Sequence, residues 1–541
     1  MACFDVAFSS SRSGDEPPCS DIGATAVKGC EELRKKDAEN VDAERVDNHK
    51  LASFNTCHTL RIPQTRQIAL TIAARRAALM RFGRTGAAAR STSLHRLHRL
   101  GRRGYSSLRI DDTHDLLVVG GGVMGAWTAI AARKRGASVL LADQFLPAHD
   151  RGSSHGDGRI YRLAYTEDIY VDMMLRSLPL WHELQDFAGH ELLAKTGGLQ
   201  FAPIGRGRLD AQCETYIRRG IVYERLSAGE LNARFPQFKL AEGEDEALYQ
   251  PELGVLFATK CVAAAWQYAE HLGVAHVTPF RAAAIRRDAG GAGGRVGELV
   301  VEGEDGVALR ARSVVFAPGA WLSPLARALF GLSVPTRVTA ETVCYYRPTD
   351  ASKAAGIDHS FRSMPVFIPE YNNGLGPFGY YGLPMIDVPG IKCSAHYCGP
   401  VVHADRRPVA AGGTRTPGLV DGTAEAEAGA RVRAVVDSTS RFVAQFFPHV
   451  EPEAFLTQSC LYTTTPDHDY IISRVPGQPN VVLAGGGSGH AFKMGPAIGE
   501  GAAALALGDQ APPYRMAQFD VQRLLDLGEG AMSHEERAAR K

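Results

Sequence analysis

The chain has 541 residues, of which 45% are hydrophobic and 22% charged, values that exclude a fully disordered or collagen-like polymer. Its net charge of +1 hides an uneven spread: residues 1–60 carry −4, residues 61–107 carry +11 from 11 Arg and no acid, and the body carries −6. A body this acidic lacks the basic footprint of a nucleic-acid binder, and no apolar run reaches the roughly 18 residues a membrane-spanning helix needs.

Residues 1–50 mix Ser, Asp, Glu and Lys without a sustained apolar period, and no fold is expected there. The stretch from Arg61 to Ser107 is rich in Arg, Ala, Ser and Leu and free of acid, the composition of an organelle transit peptide, with a basic tail as the alternative. Its end, Arg103-Gly104-Tyr105-Ser106-Ser107, is similar to a mitochondrial processing site, and initiation at Met80 in place of Met1 gives a presequence of ordinary length. Residues 1–107 are therefore set apart as a disordered lead and probable transit peptide. The ten Cys include no C-x-x-C pair, so no zinc site or other metal site is expected, and a reducing compartment is the simpler assumption.

Asp115–Val119 is an apolar run suited to a buried parallel strand, and it enters Gly120-Gly121-Gly122-Val123-Met124-Gly125, the spacing G-x-G-x-x-G. Small and apolar residues then continue at helical spacing, Gly136 stops the helix, and Ser138–Ala142 forms a second strand ending in Asp143. The unit is a dinucleotide-binding βαβ. Gly120 permits the turn, Gly122 lets the backbone approach a pyrophosphate, Gly125 packs helix on strand, Val123 and Met124 open the helix toward the negative charge, and Asp143 accepts from the ribose. NAD and FAD both use this unit, so the nucleotide is open at this point.

After Asp143 comes a donor-rich loop holding Ser153, Ser154, His155, Gly158, Arg159 and Arg162. Here the chain resembles the sarcosine oxidase and pipecolate oxidase family of flavin amine oxidases, whose pattern at this point is close to G-S-S-H-G-x-x-R-I-x-R. Three later blocks extend the resemblance, which runs from Asp115 to about Leu507. They are the strand and turn Val314–Trp321; Tyr381-Gly382-Leu383-Pro384 with Lys392 eleven residues after Tyr381 and His396 four beyond that; and Ser459-Cys460-Leu461-Tyr462-Thr463-Thr464-Thr465-Pro466-Asp467 followed by the loop Gly487-Ser488-Gly489-His490-Ala491-Phe492-Lys493.

The resemblance implies FAD, attached through a thioether at Cys460, with Gly487, Gly489, His490 and Lys493 near its ring. It also implies that Lys493 helps hold the substrate carboxylate. Arg162 beside Lys493 makes a cationic clamp, the Arg gripping bidentately and the Lys acting as a point charge. Lys392 is expected to promote reaction with oxygen, His396 and Arg159 to flank the ring, and Tyr381 and Tyr462 to wall the substrate cavity. One departure is visible: where bacterial relatives carry Thr before the first Arg of the loop, this chain has Gly158.

The expected fold class is α/β, a discontinuous Rossmann-type FAD-binding domain (110–195, 258–330 and 455–510) with an antiparallel-sheet α+β substrate domain (196–257 and 331–454) and a tail from 511 to 541. The first of these includes a helix at Cys261–His271 leading into a strand at Val274–Val277. In the second, Val334–Tyr346 and Lys392–Tyr397 read as strands, and Thr423–Phe446 as a helix packed on their sheet. The expected activity is oxidation of a small secondary amino acid (sarcosine, L-pipecolate or similar) to an imine, with electrons passing to molecular oxygen to give hydrogen peroxide. A carrier-linked dehydrogenase and a non-catalytic flavoprotein scaffold are the alternatives. No nucleic-acid or membrane partner is expected, and the chain is read as a monomer or small oligomer. The expected location is mitochondrial, with peroxisomal or cytoplasmic as alternatives, because the C-terminal Ala539-Arg540-Lys541 lacks the final Leu of a peroxisomal signal.

Overall fold

The computed structural model describes residues 112–206, 208–289, 297–406, 423–509 and 514–527. The lead, the basic segment and the end of the tail lie outside the described residues. No described helix is long and apolar enough to cross a membrane.

The Leu- and Val-rich run His114–Val119 becomes a central strand whose last four residues are buried, as expected for a parallel strand covered on both faces. It pairs in parallel with Val139–Ala142 on one side and Ala308–Phe316 on the other. Ala275–Val277 extends the sheet in parallel beyond Val139–Ala142, and Gln478–Gly485 joins Ala308–Phe316 in parallel. Leu299–Gly303, Ala282–Arg287 and Ile471–Val475 add antiparallel edges, giving eight strands. The helices Val123–Lys134, Asp168–Ala188, Ala258–His271 and Gly495–Leu507 share one apolar core on this sheet, built around Trp127, Trp181 and Trp266.

A second eight-stranded sheet runs in the order Leu456–Thr464, Arg337–Tyr346, Ile391–Ala395, Tyr380–Leu383, Val366–Pro369, Gly198–Pro203, Asp245–Gln250, Glu224–Ser227. It is antiparallel except where Val366–Pro369 meets Gly198–Pro203. Leu456–Thr464, grouped by sequence with the FAD-binding stretch, instead pairs along its length with Arg337–Tyr346. Gly254–Leu256 likewise leaves the substrate stretch to form a three-stranded sheet with Arg159–Tyr161 and Leu193–Lys195.

Residue parity on the second sheet decides what faces the site. Directly paired residues share a face and successive residues alternate. The register pairs Tyr345 with Lys392, Lys392 with Leu383, Ser394 with Tyr381, Glu341 with Cys460, and Thr339 with Tyr462. Lys392, Tyr381, Cys460 and Tyr462 therefore share one face. Tyr380, Cys393, Ala395, Cys344 and Tyr346 occupy the other face, where they pack with Phe442, Val443 and Phe446 of the helix Thr423–Phe446. The Tyr380 and Phe442 rings stack with centroids 4.2 Å apart.

Candidate active site

A cavity of about 570 Å³ runs from the turn Gly120–Met124 and Asp143 to Lys392, His396, Cys460, Tyr462 and Lys493. At the nucleotide end, Gly120 adopts φ +104°, and a Cβ there would lie 2.3 Å from the Ala317 carbonyl oxygen. A Cβ on Gly125 would fall 1.7 Å from the Gly120 oxygen, so only glycine lets the helix sit on the turn. Asp143 is buried and accepts from the Gly121 and Phe145 amides. Ser154 Oγ accepts from the Val123 amide at 3.1 Å, capping the first helical turn.

The loop from Ser153 to Arg159 wraps around its own guanidinium. Arg159 donates to the carbonyls of Ser153 (2.8 Å), His155 (2.7 Å) and Gly158 (3.0 Å), and Ser153 Oγ donates to the Leu461 carbonyl. His155, expected to hold the cofactor, is buried off the cavity wall; its carbonyl, drawn in by Arg159, helps shape the loop. Gly125 also lies behind the wall, in its expected packing role.

On the facing sheet, buried Lys392 donates to the Gly158 carbonyl at 3.1 Å. Burial first, and then the charge of Arg159, lower its pKa to about 7. His396 sits among aromatic edges, 5.3 Å from the Tyr381 ring and 5.6 Å from the Tyr462 ring, with its Nδ1 3.3 Å from the Tyr462 hydroxyl. Burial, followed by the charges of Arg162, His468 and Lys493, lowers its pKa to about 3, which keeps the imidazole neutral. Burial raises the Tyr381 and Tyr462 phenols, so both remain protonated.

Arg162 and Lys493 converge on Tyr165, with the guanidinium carbon 4.8 Å and the ammonium 5.4 Å from its ring centroid. Lys493 donates to the His490 carbonyl at 2.7 Å, and burial with the Arg162 charge pushes its pKa well below that of free lysine. Among the described residues no carboxylate pairs with either cation, so together they form an anion site. His490 is locked by its ring nitrogens, with Nδ1 2.8 Å from the Tyr470 hydroxyl and Nε2 3.1 Å from the His468 carbonyl. Ser488 (φ +42°) and Tyr397 (φ +59°) are both left-handed, and the Tyr397 hydroxyl donates to the Ser488 carbonyl, tying the loop holding Gly487 and Gly489 to the second sheet.

The residues suit FAD. The dinucleotide turn, the buried acid, and the cationic, aromatic far end line one continuous void, and Thr463 Oγ1 is buried on that wall without a hydrogen-bond partner. Cys460, 8% exposed, stands on the same wall between the two ends. Three contributors escaped the sequence reading. Trp266 donates to the Gly121 carbonyl at 2.7 Å, and Tyr165 forms the floor of the cation pair. Buried Glu341, the cross-strand partner of Cys460, accepts from the Cys398 and Gly399 amides and from Thr339, while burial raises its pKa. No spacing rule announces any of the three, since each depends on a tertiary contact.

A family model described as FAD dependent oxidoreductase matches residues 115–505. Among curated proteins, the peroxisomal sarcosine oxidase of Homo sapiens is 32% identical over 426 residues, covering 77% of this chain and 98% of that protein. The monomeric sarcosine oxidase of Bacillus sp. (strain B-0618) is 32% identical over 400 residues, covering 73% and 93%. Among solved structures, the open form of NikD, an amino acid oxidase, superposes with a TM-score of 0.60 at 22% identity, covering 76% of this chain and 97% of that one.

Proposed function

We propose a function from one premise: this chain belongs to the FAD dependent oxidoreductase family. It is an FAD-dependent amine oxidoreductase. The substrate we assign is a small secondary amino acid of the sarcosine or L-pipecolate kind. In the overall reaction the amine gives up two electrons and two protons to become an imine, oxygen takes both to become hydrogen peroxide, and water then splits the imine. The observation that carries this reading is the pair of cations, Arg162 and Lys493, buried beside one another without a carboxylate partner among the described residues.

Bound FAD supplies the two-electron acceptor. The chain's own residues supply position and charge. Arg162 and Lys493 take the substrate carboxylate, which orients the amine toward Tyr381, Tyr462 and His396. Those groups are neutral, so they accept or donate hydrogen bonds without repelling or protonating the nitrogen. Lys392, across the cavity wall, offers positive charge where electrons leave for oxygen. Cys460 is the attachment thiol in this reading, held on the sheet face by its pairing with Glu341.

The test uses purified holoprotein. Acid precipitation should leave flavin in the pellet, and anaerobic addition of sarcosine, L-pipecolate or L-proline should bleach it, with rapid recovery of colour in air. Failure of all three amines to bleach bound flavin refutes the substrate class, and slow recovery in air refutes the oxidase reading in favour of a carrier-linked dehydrogenase.

On location, the human and mouse relatives are named peroxisomal, which speaks for that alternative, and none of the relatives speaks for the mitochondrion. The segment 61–107 behind the mitochondrial expectation lies outside the described residues. Imaging the full chain against organelle markers checks the peroxisomal assignment, and mitochondrial overlap refutes it.

A further inference from the structure

Lys392 sits where its charge must be held against its surroundings. Its ammonium and the Arg159 guanidinium converge on one acceptor, the Gly158 carbonyl, at 3.1 and 3.0 Å. Several elements face it. Tyr345 comes from one neighbouring strand and Leu383 from the other, Cys460 from the edge strand, and Asp157 from the loop. Of these side chains Asp157 alone is an acid.

The Asp157 carboxylate is half-buried, and no cation lies within 4.0 Å of it among the described residues. Its contacts are the Asp387 and Val388 amides, at 3.4 Å each. Asp387, the other acid nearby, is already paired with Lys260 at 3.0 Å. Position 158 is pressed against the same segment: a Cβ there would lie 2.6 Å from Ile386 Cδ1 and 2.9 Å from Leu383 Cδ2. Residues 157–158 are thus clamped between Lys392 and the chain at 383–388.

We propose that Asp157 is the counter-charge of Lys392, a positioning residue that holds the ammonium form and ties residues 157–158 to the segment 385–388. The proposal rests on the reading that Lys392 serves the oxygen step. Charge balance supports it: burial and Arg159 push Lys392 toward the neutral amine, while Cys460 and Asp157 oppose them. Asp157 is in turn raised by burial and held down by Lys392. One carboxylate near a buried amine moves its titration by about one pH unit or more.

The experiment follows two half-reactions of the holoenzyme by stopped flow between about pH 6 and 9: anaerobic reduction by sarcosine, and reoxidation of the reduced enzyme by oxygen. In the wild type, reoxidation should slow as pH rises through the Lys392 titration. In Asp157→Asn that fall should lie about one pH unit lower, making reoxidation roughly five- to tenfold slower just above the wild-type midpoint. Reduction should change by less than about twofold, since a single lost backbone contact is worth about 1 kcal/mol at most and lies away from the amine. Asp157→Glu should return the profile toward wild type, and Asp157→Ser gives the same reading if the Asn variant does not load flavin. Coincident pH profiles for wild type and the charge-removing variants, or equal losses in both half-reactions, overturn the proposal. A Lys392→Met variant reoxidised as fast as wild type removes the underlying reading and the proposal with it. A slow Lys392→Met beside an unshifted Asp157→Asn overturns the proposal alone.

Discussion

Replacing Lys493 by Met should weaken amino acid turnover and stabilise the substrate-free protein at once. Lys493 is 5% exposed, donates to the His490 carbonyl at 2.7 Å, and faces Arg162. With no carboxylate present, the buried ammonium is a liability that Met, of similar shape, removes. A bound carboxylate reverses the balance, because a charge-assisted hydrogen bond is worth about 1.5–3 kcal/mol, or roughly ten- to a hundredfold in kcat/KM. The pH dependence has a definite sign. The folded pKa lies below the unfolded value of about 10.4, so between them the unfolded chain binds more protons and wild-type stability rises with pH. The penalty is complete below the folded pKa and vanishes above the unfolded one, so the variant's gain in Tm should be largest in acid and shrink toward about pH 10. The assays are kcat/KM for sarcosine and for an N-methylamine without a carboxylate, together with Tm across pH. Equal losses on both substrates, or a lower Tm for the variant in acid, refutes the reasoning.

Three further changes probe other links of the argument. Cys460→Ala should leave bound flavin soluble after acid precipitation while the fold is kept, as read by absorbance of pellet and supernatant; flavin remaining in the pellet places the attachment elsewhere. Gly125→Ala puts a methyl 1.7 Å from the Gly120 oxygen, forcing the helix off the turn, so the protein should purify without flavin or not fold; a fully loaded variant contradicts the packing described. Phe442→Ala removes a buried ring stacked on Tyr380 and should cost about 3–5 kcal/mol in denaturant unfolding, with a raised KM because Tyr381 follows Tyr380 on the strand; a loss under about 1 kcal/mol shows the helix does not brace the sheet.

What could be read from the sequence was whatever local spacing controls. The glycine turn and Asp143 lie within one βαβ unit, and the helix Thr423–Phe446 follows its apolar period to both ends. Cys460 and Tyr462, two apart on one strand, must share a face, as must Lys392 and Ser394 on another. Which strands lie side by side is decided by burial, and there local reading gives out. Leu456–Thr464 stands just before the glycine-rich loop in sequence, yet it serves the second sheet because nine cross-strand pairs with Arg337–Tyr346 outweigh proximity along the chain. That pairing sets Glu341 beside Cys460 and so builds the attachment wall, a juxtaposition invisible to spacing across more than a hundred residues. His155 fails for a related reason. A Ser- and His-rich loop looks like a set of donors aimed at a ligand, but Arg159 needs acceptors and turns the loop's carbonyls inward. The guanidinium, rather than the cofactor, dictates the loop's shape, and the same carbonyl of Gly158 that it gathers is the one that receives Lys392 from the opposite sheet.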